Sequence, residues 1–330
     1  MSSTLTRRAL LRSTGLLAGT ALTSRFVPVD LWAQAPAPAK PLSAAQQKQA
    51  GIDALKARRA EMAKTPIART RLTDTLELLS GPGGNVVVLH GADGLIVVDT
   101  FIRGAWPALK TTLDAIGGKP TFAIDTHWHF DHADNNGEIH RAGATVVAHA
   151  NTKKRLSEPH DIIGMHFDPE PADALPTVTF KDSHQLKANG EDVVLQYFDP
   201  AHTDTDIAVL FNKGNVLHMG DTFFNGSYPF IDVATGGNIN GMIAAADRAL
   251  GIIDGNTKVV PGHGPLADRA ALVAYRRVIA TVRDRVGKLK AAGKSLEEVQ
   301  AAKPSADFDA QWGGGFTKPE VFVAIVYNSL

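Results

Sequence analysis

Three imidazoles and a carboxylate fall within six consecutive residues, His127-Trp128-His129-Phe130-Asp131-His132, a density of ligand chemistry that packing alone does not require. The spacing is H-x-H-x-D-H. Just ahead of it, Thr121-Phe122-Ala123-Ile124-Asp125-Thr126 is apolar and β-favouring, so the ligands begin where a strand ends, and a helix is expected from about Ala133. His127 and His129, two apart in extended chain, point to one side and grip one metal, while Asp131 and His132 lie at the turn into the helix and aim at a second. Neutral imidazole and carboxylate suit zinc at about 2.0–2.2 Å per bond, and two ions about 3.5–4 Å apart can share one hydroxide. A histidine-rich surface loop is the competing explanation, and the remainder of the chain weakens it.

A binuclear site needs about three or four ligands per metal, and three further segments offer them. Ala201-His202-Thr203-Asp204-Thr205-Asp206 follows the strand-like run Val193 to Phe198 and precedes the strand-like Ile207 to Phe211; Val216-Leu217-His218-Met219-Gly220-Asp221-Thr222 is an apolar strand ending in a carboxylate; Val259-Val260-Pro261-Gly262-His263-Gly264-Pro265 is a short strand ending in a histidine between glycines. Each candidate lies just past an apolar strand, the arrangement by which a rigid sheet presents distant residues at one edge.

From about Leu76 to Pro265 these motifs, in this order, resemble the metallo-β-lactamase superfamily; Gly81-Pro82-Gly83-Gly84-Asn85-Val86 and Gly94-Leu95-Ile96-Val97-Val98-Asp99-Thr100 are similar to its first hairpin. The resemblance implies an α/β fold, an αββα sandwich of two packed mixed β-sheets flanked by helices. It implies His127, His129 and His202 on a first metal, Asp131, His132 and His263 on a second, and Asp221 bridging two Zn²⁺, with Fe or Mn as alternatives. The β-lactamases of the superfamily usually carry Cys at the bridging position and Lys three residues on; here stand Asp221 and Phe224. The bridging Asp is similar to that of glyoxalase II and the lactonases, and the segment Leu79 to Gly94 is too short for a long apolar flap. Gly237-Asn238-Ile239-Asn240 is nonetheless similar to a β-lactamase segment.

The expected activity is hydrolysis of an acyl bond in a lactone, ester, thioester or β-lactam by a metal-bridging hydroxide, with lactone or ester favoured. Asp131 would orient the hydroxide and pass on its proton. Tyr228 is a candidate donor to an oxyanion or leaving group, with packing beneath a loop as its other reading. Phe223, Phe224, Asn225, Tyr228 and Phe230 are expected to form an apolar pocket, and Trp128 either walls it or packs under it. Asp99 and Asp125 are candidates for orienting imidazoles, with solvent-facing turns as the alternative. The stretch Glu158 to Pro176, with His160 and His166, is a candidate substrate-covering loop. Two other classes compete: an iron-dependent oxidoreductase such as a persulfide dioxygenase, and a non-catalytic metal-binding protein.

Thr6-Arg7-Arg8-Ala9-Leu10-Leu11-Arg12, a weakly apolar stretch and Ala33-Gln34-Ala35 fit a twin-arginine signal peptide, expected over residues 1–35, and with it a periplasmic or secreted location is expected. Residues 36–70 are expected to be a linker and lead-in helix, the helix over Ser43 to Lys64 being read as solvated, and 71–330 the catalytic domain. The chain has no Cys, which excludes disulfides and thiolate ligands, and its 34 Lys+Arg balance 34 Asp+Glu. That balance favours neither nucleic acid nor an anionic membrane surface, leaving a small-molecule substrate as the expected partner and the oligomeric state open. Further helices are expected near Ala105–Ile116, Ala133–Ala142, Ile239–Ile252, Ala267–Ala292 and Leu296–Ala302.

Overall fold

Alternate residues of a strand part to opposite faces, and here both faces are apolar. Val87, Leu89, Ile96 and Val98 turn to one side of the first sheet, and Val86, Val88, Leu95 and Val97 to the other, all fully buried. Strands covered on both faces read as continuous apolar runs.

The fold is seen in a computed structural model, which describes residues 42–330; the expected signal peptide lies outside the described residues. Ser43–Leu330 form one compact unit. After helix α1 (Ala44–Met62) come β1 (Ala68–Arg71), β2 (Leu76–Ser80), β3 (Asn85–Leu89), β4 (Leu95–Val98), α2 (Trp106–Ile116), β5 (Pro120–Ile124), α3 (Phe130–Ala133), α4 (Asn136–Arg141), β6 (Thr145–His149) and α5 (Ala150–Leu156). A hairpin of β7 (His160–Ile162) and β8 (Met165–Phe167) precedes β9 (Val178–Phe180), which completes a seven-stranded sheet of order β1-β2-β3-β4-β5-β6-β9. A second sheet holds β10 (Ser183–Ala188), β11 (Glu191–Tyr197), β12 (Ile207–Phe211), β13 (Val216–His218) and, parallel to β13, β14 (Lys258–Val260). Helices α6 (Ile239–Ile252), α7 (Arg269–Ala291), α8 (Leu296–Ala301), α9 (Ala306–Trp312) and α10 (Pro319–Ser329) finish the chain.

Three cores make four layers. Val87, Val98 and Ile124 meet Leu195, Val209 and Val260 between the sheets. Leu109, Leu113 and Ile139 cover the outer face of the first sheet; Met242, Ala246, Tyr275, Ile279 and Phe322 cover that of the second. This is the expected αββα sandwich.

Two expectations about helices are corrected. The single helix over Ala133–Ala142 is broken between α3 and α4, because the Asn135 amide donates to the carbonyls of Thr100 (2.6 Å) and Ile102 (2.8 Å). The lead-in helix, read as solvated, docks instead: Gly51 and Leu55 of α1 are buried, and a Cβ at Gly51 would stand 2.8 Å from His166 Cβ on β8. Two turns further along the helix, Arg59 Nε donates to Asp134 Oδ2 at 2.6 Å. Among the described residues no helix is long and apolar enough to cross a membrane.

Candidate metal centre

Four loops reach one edge of the sandwich from the ends of β5, β11, β13 and β14, and they carry all seven expected ligands. Donor atoms lie within 4.8 Å of one another in each of three groups: His127, His129 and His202; His127, His132 and Asp221; Asp131, His132 and His263. Asp221 stands between the other two groups, with Oδ1 3.2 Å from His132 Nε2 and Oδ2 3.2 Å from His263 Nε2 and 3.5 Å from His202 Nε2. Glycine makes this approach possible, since a Cβ on Gly262 would lie 1.9 Å from Asp221 Oδ1. The first hairpin holds the His263 loop, its Asn85 amide donating to the carbonyls of Pro261 and Gly264 at 2.9 Å each.

Four of the five candidate imidazole ligands are oriented from behind. The Asp99 carboxylate lies 2.7 Å from His132 Nδ1 and accepts from the Thr126 hydroxyl at 2.8 Å, whose oxygen is 3.1 Å from His127 Nδ1. His202 Nδ1 faces the Phe230 carbonyl at 2.8 Å, leaving Nε2 for the cluster. The loop that carries His202 is held by Asp206, which accepts from the backbone N–H of His202 and Thr203 at 2.7 and 2.9 Å. His129 is turned the other way: Nε2 faces Asp232 Oδ2 at 3.1 Å, and Nδ1 lies 2.9 Å from His202 Nε2. Such outer partners fix tautomer and ring orientation.

The donor set fits a metal pair. His127 Nε2 and Asp221 Oδ1 are buried without a hydrogen-bond partner among the described residues, and polar atoms so placed are costly unless something completes them. Burial lowers the pKa of His127, and lowers that of His202 to about 4 against the pull of Asp221, so both stay in the neutral form that ligates. At His263 burial opposes the cation too, but Asp221 and Asp131 overcome it and raise the pKa to about 9. Burial likewise works against the Asp232 carboxylate, yet the His129 hydrogen bond holds it down at about 2.

Beside the cluster opens a pocket of about 260 Å³, walled by Phe224, Phe230, Ile162, Ile163, Met165 and Phe316 and floored by His129, Asp131, Asp221 and His263. The candidate covering stretch thus contributes a hairpin, β7–β8, to the wall. His166 is taken up by Asp161 at 2.7 Å. Of the five residues expected to line the pocket, Phe223 packs in the core 5.1 Å from Tyr275 and Asn225 donates to the Pro265 carbonyl. Tyr228 borders the pocket with its ring stacked on Phe322. Its hydroxyl meets Asp309 Oδ1 at 2.8 Å and the Ser305 carbonyl at 3.2 Å, which corrects the expectation of an oxyanion donor. Trp128 is buried beneath the site, 4.5 Å from His160. Asp99 orients imidazoles as anticipated, but Asp125, equally buried, accepts from Asn136 instead. Asp232 and Asp206 were not foreseen: Asp232 reaches His129 from 103 residues away, and Asp206 acts on the backbone of the His202 loop and not on a ring.

The sequence model of the Metallo-beta-lactamase superfamily matches residues 79–275. Acyl-coenzyme A thioesterase MBLAC2 of Gallus gallus is 21% identical over 56% of this chain and 73% of its own length. Hydroxyacylglutathione hydrolase of Methylococcus capsulatus is 30% identical over 45% of this chain and 52% of its own length. A solved metallo-beta-lactamase from Pontibacter korlensis superposes with a TM-score of 0.54 at 18% identity, over 65% of this chain and 99% of that one; at that identity the likeness is one of fold.

Proposed function

Because the chain belongs to the metallo-β-lactamase superfamily, we propose that it is a dinuclear zinc hydrolase of an acyl bond, with lactones and esters preferred over β-lactams. The observation that carries the reading is the convergence of the seven donors, two with buried orphan atoms, on the floor of an apolar pocket. His127, His129 and His202 would hold one ion, Asp131, His132 and His263 the other, with Asp221 shared. When bound, such ions supply Lewis acidity and bring the pKa of water toward neutrality.

The chain's own residues do the rest. Asp131 lines the pocket, with Oδ2 3.4 Å from His263 Nε2; at the pocket floor it is placed to orient attacking water and to take its proton. Phe224 stacks on His263 at 5.2 Å and, with Phe230, keeps bulk water from the reacting carbonyl. Hydrolase names among the relatives support the class, and Asp221 in place of Cys supports the preference against β-lactams.

Purified protein should contain close to two zinc ions per chain and should turn over at least one of a panel of lactones, aryl esters, thioesters and cephalosporins. Asp131→Ala should lower turnover by about 10²–10⁴-fold while circular dichroism stays unchanged. Full activity in that variant would overturn the role of Asp131, and inertness of the zinc-loaded wild type toward the whole panel would overturn the hydrolase reading.

A further inference from the structure

The wall of the pocket contains one lysine or arginine, Arg58, which α1 brings to the mouth from outside the family-matched region. Its Cζ lies 5.4 Å from the centroid of the Phe316 ring. Neighbouring arginines are spent on carboxylates: Arg59 on Asp134, and Arg103 on Glu170 and Asp134. Arg58 forms no ion pair or hydrogen bond among the described residues, and the two pocket acids, Asp131 and Asp221, belong to the metal cluster. Stacking occupies the face of a guanidinium and leaves its N–H edge, the part that pairs in parallel with a carboxylate, open.

The helix that carries Arg58, itself an exposed residue, is anchored to the sandwich. The burial of Gly51 against β8 and the Arg59–Asp134 pair anchor the helix one residue from Arg58 and two turns before it. On either side of the mouth, Phe316 is 63% and Ile163 57% exposed, large apolar side chains that the fold leaves uncovered. A cation over the Phe316 ring, in a pocket that Ile163 also lines, matches a ligand that is apolar along its length and anionic at one point.

We propose that Arg58 selects substrates carrying an anionic group on an apolar acyl arm, the arm lying against Ile162, Ile163, Met165 and Phe316. The proposal rests on the acyl-hydrolase reading for its substrate, and its binding test does not. Arg58 acts as a specificity residue and takes no part in bond cleavage.

Two probe pairs test it. The hydrolytic pair is the mono-4-nitrophenyl ester of octanedioic acid and 4-nitrophenyl octanoate; the binding pair, measured by calorimetry, is octane-1-sulfonate and octan-1-ol. Arg58→Gln should raise KM for the anionic ester and weaken sulfonate binding, each about tenfold. It should leave kcat, the neutral ester and octanol unchanged, and Arg58→Lys should fall between. Equal shifts for charged and neutral probes would mean that Arg58 only props Phe316, and no shift would mean that it faces solvent; either overturns the proposal. Should the wild type cleave neither ester nor any member of the wider panel while sulfonate binding still depends on Arg58, the acyl-hydrolase reading falls and the anion site stands. Cleavage of both esters with no dependence on Arg58 is the reverse result.

Discussion

At the scale of single residues, the candidate ligands were legible, and of their supports only Asp99 was among the candidates. His127, His129, Asp131 and His132 declare themselves by spacing, and His202, Asp221 and His263 by following apolar strands. Asp232 has no such mark, because it meets His129 across 103 positions of sequence. Replacing Asp232 by Ala removes the partner of His129 Nε2 and should weaken zinc binding about 10–100-fold, read by competition with a chromophoric chelator; unchanged affinity would sink this role. His149, outside the cluster, shows what a histidine does when it serves the fold. Its Nδ1 accepts from the Asn151 N–H at 3.2 Å, its Nε2 donates to the Lys181 carbonyl at 2.8 Å, and its ring stacks on Tyr197 at 3.9 Å. Burial lowers its pKa, so the unfolded chain takes up this proton first, near its ordinary value of about 6.5. The stabilisation is therefore whole above that pH and lost as pH falls below it. Denaturant melts at pH 7 and pH 5 should show a larger loss for the wild type than for His149→Gln; equal losses would refute the assignment.

Among elements, legibility followed the visibility of caps and stripes. The helices beginning after Asn238 and Asp268 carry side-chain caps, accepting from the N–H of Gly241 and Ala271, and both were anticipated nearly to the residue. The break between α3 and α4 was hidden, since Asn135 spends its amide on carbonyls more than 30 residues away. The docking of α1 was hidden too: it has no apolar stripe and buries only Gly51 and Leu55. A side chain at position 51 must displace His166, so Gly51→Val should cost about 1–3 kcal/mol. Limited proteolysis should then cut within α1 while the sandwich persists. A variant as resistant as the wild type would show that the helix does not depend on this contact.

For the whole molecule, two sheets and their four loops converge on a site that the chain leaves incomplete by itself. Because ligation acts on the folded state, a chelator should lower the melting temperature, and zinc at about a thousandfold excess over Kd should restore about 4 kcal/mol. Identical melting curves with and without the metals would contradict the centre described above. The layered architecture was legible through the resemblance that the ligand motifs carry, and doubly covered strands with outer helices fit it. The closure of the pocket was not, because it depends on where α1 and Phe316 come to rest.

That closure divides the molecule's labour. Every donor of the metal cluster lies between positions 127 and 263, within the family-matched stretch, whereas Arg58, Met62 and Phe316 of the pocket wall lie before and after it. The reacting machinery is thus inherited with the fold, while the mouth is an attachment made from the chain's flanks. An attachment can be exchanged without rebuilding the tool, and changes of clientele in proteins built this way need not touch a single metal ligand.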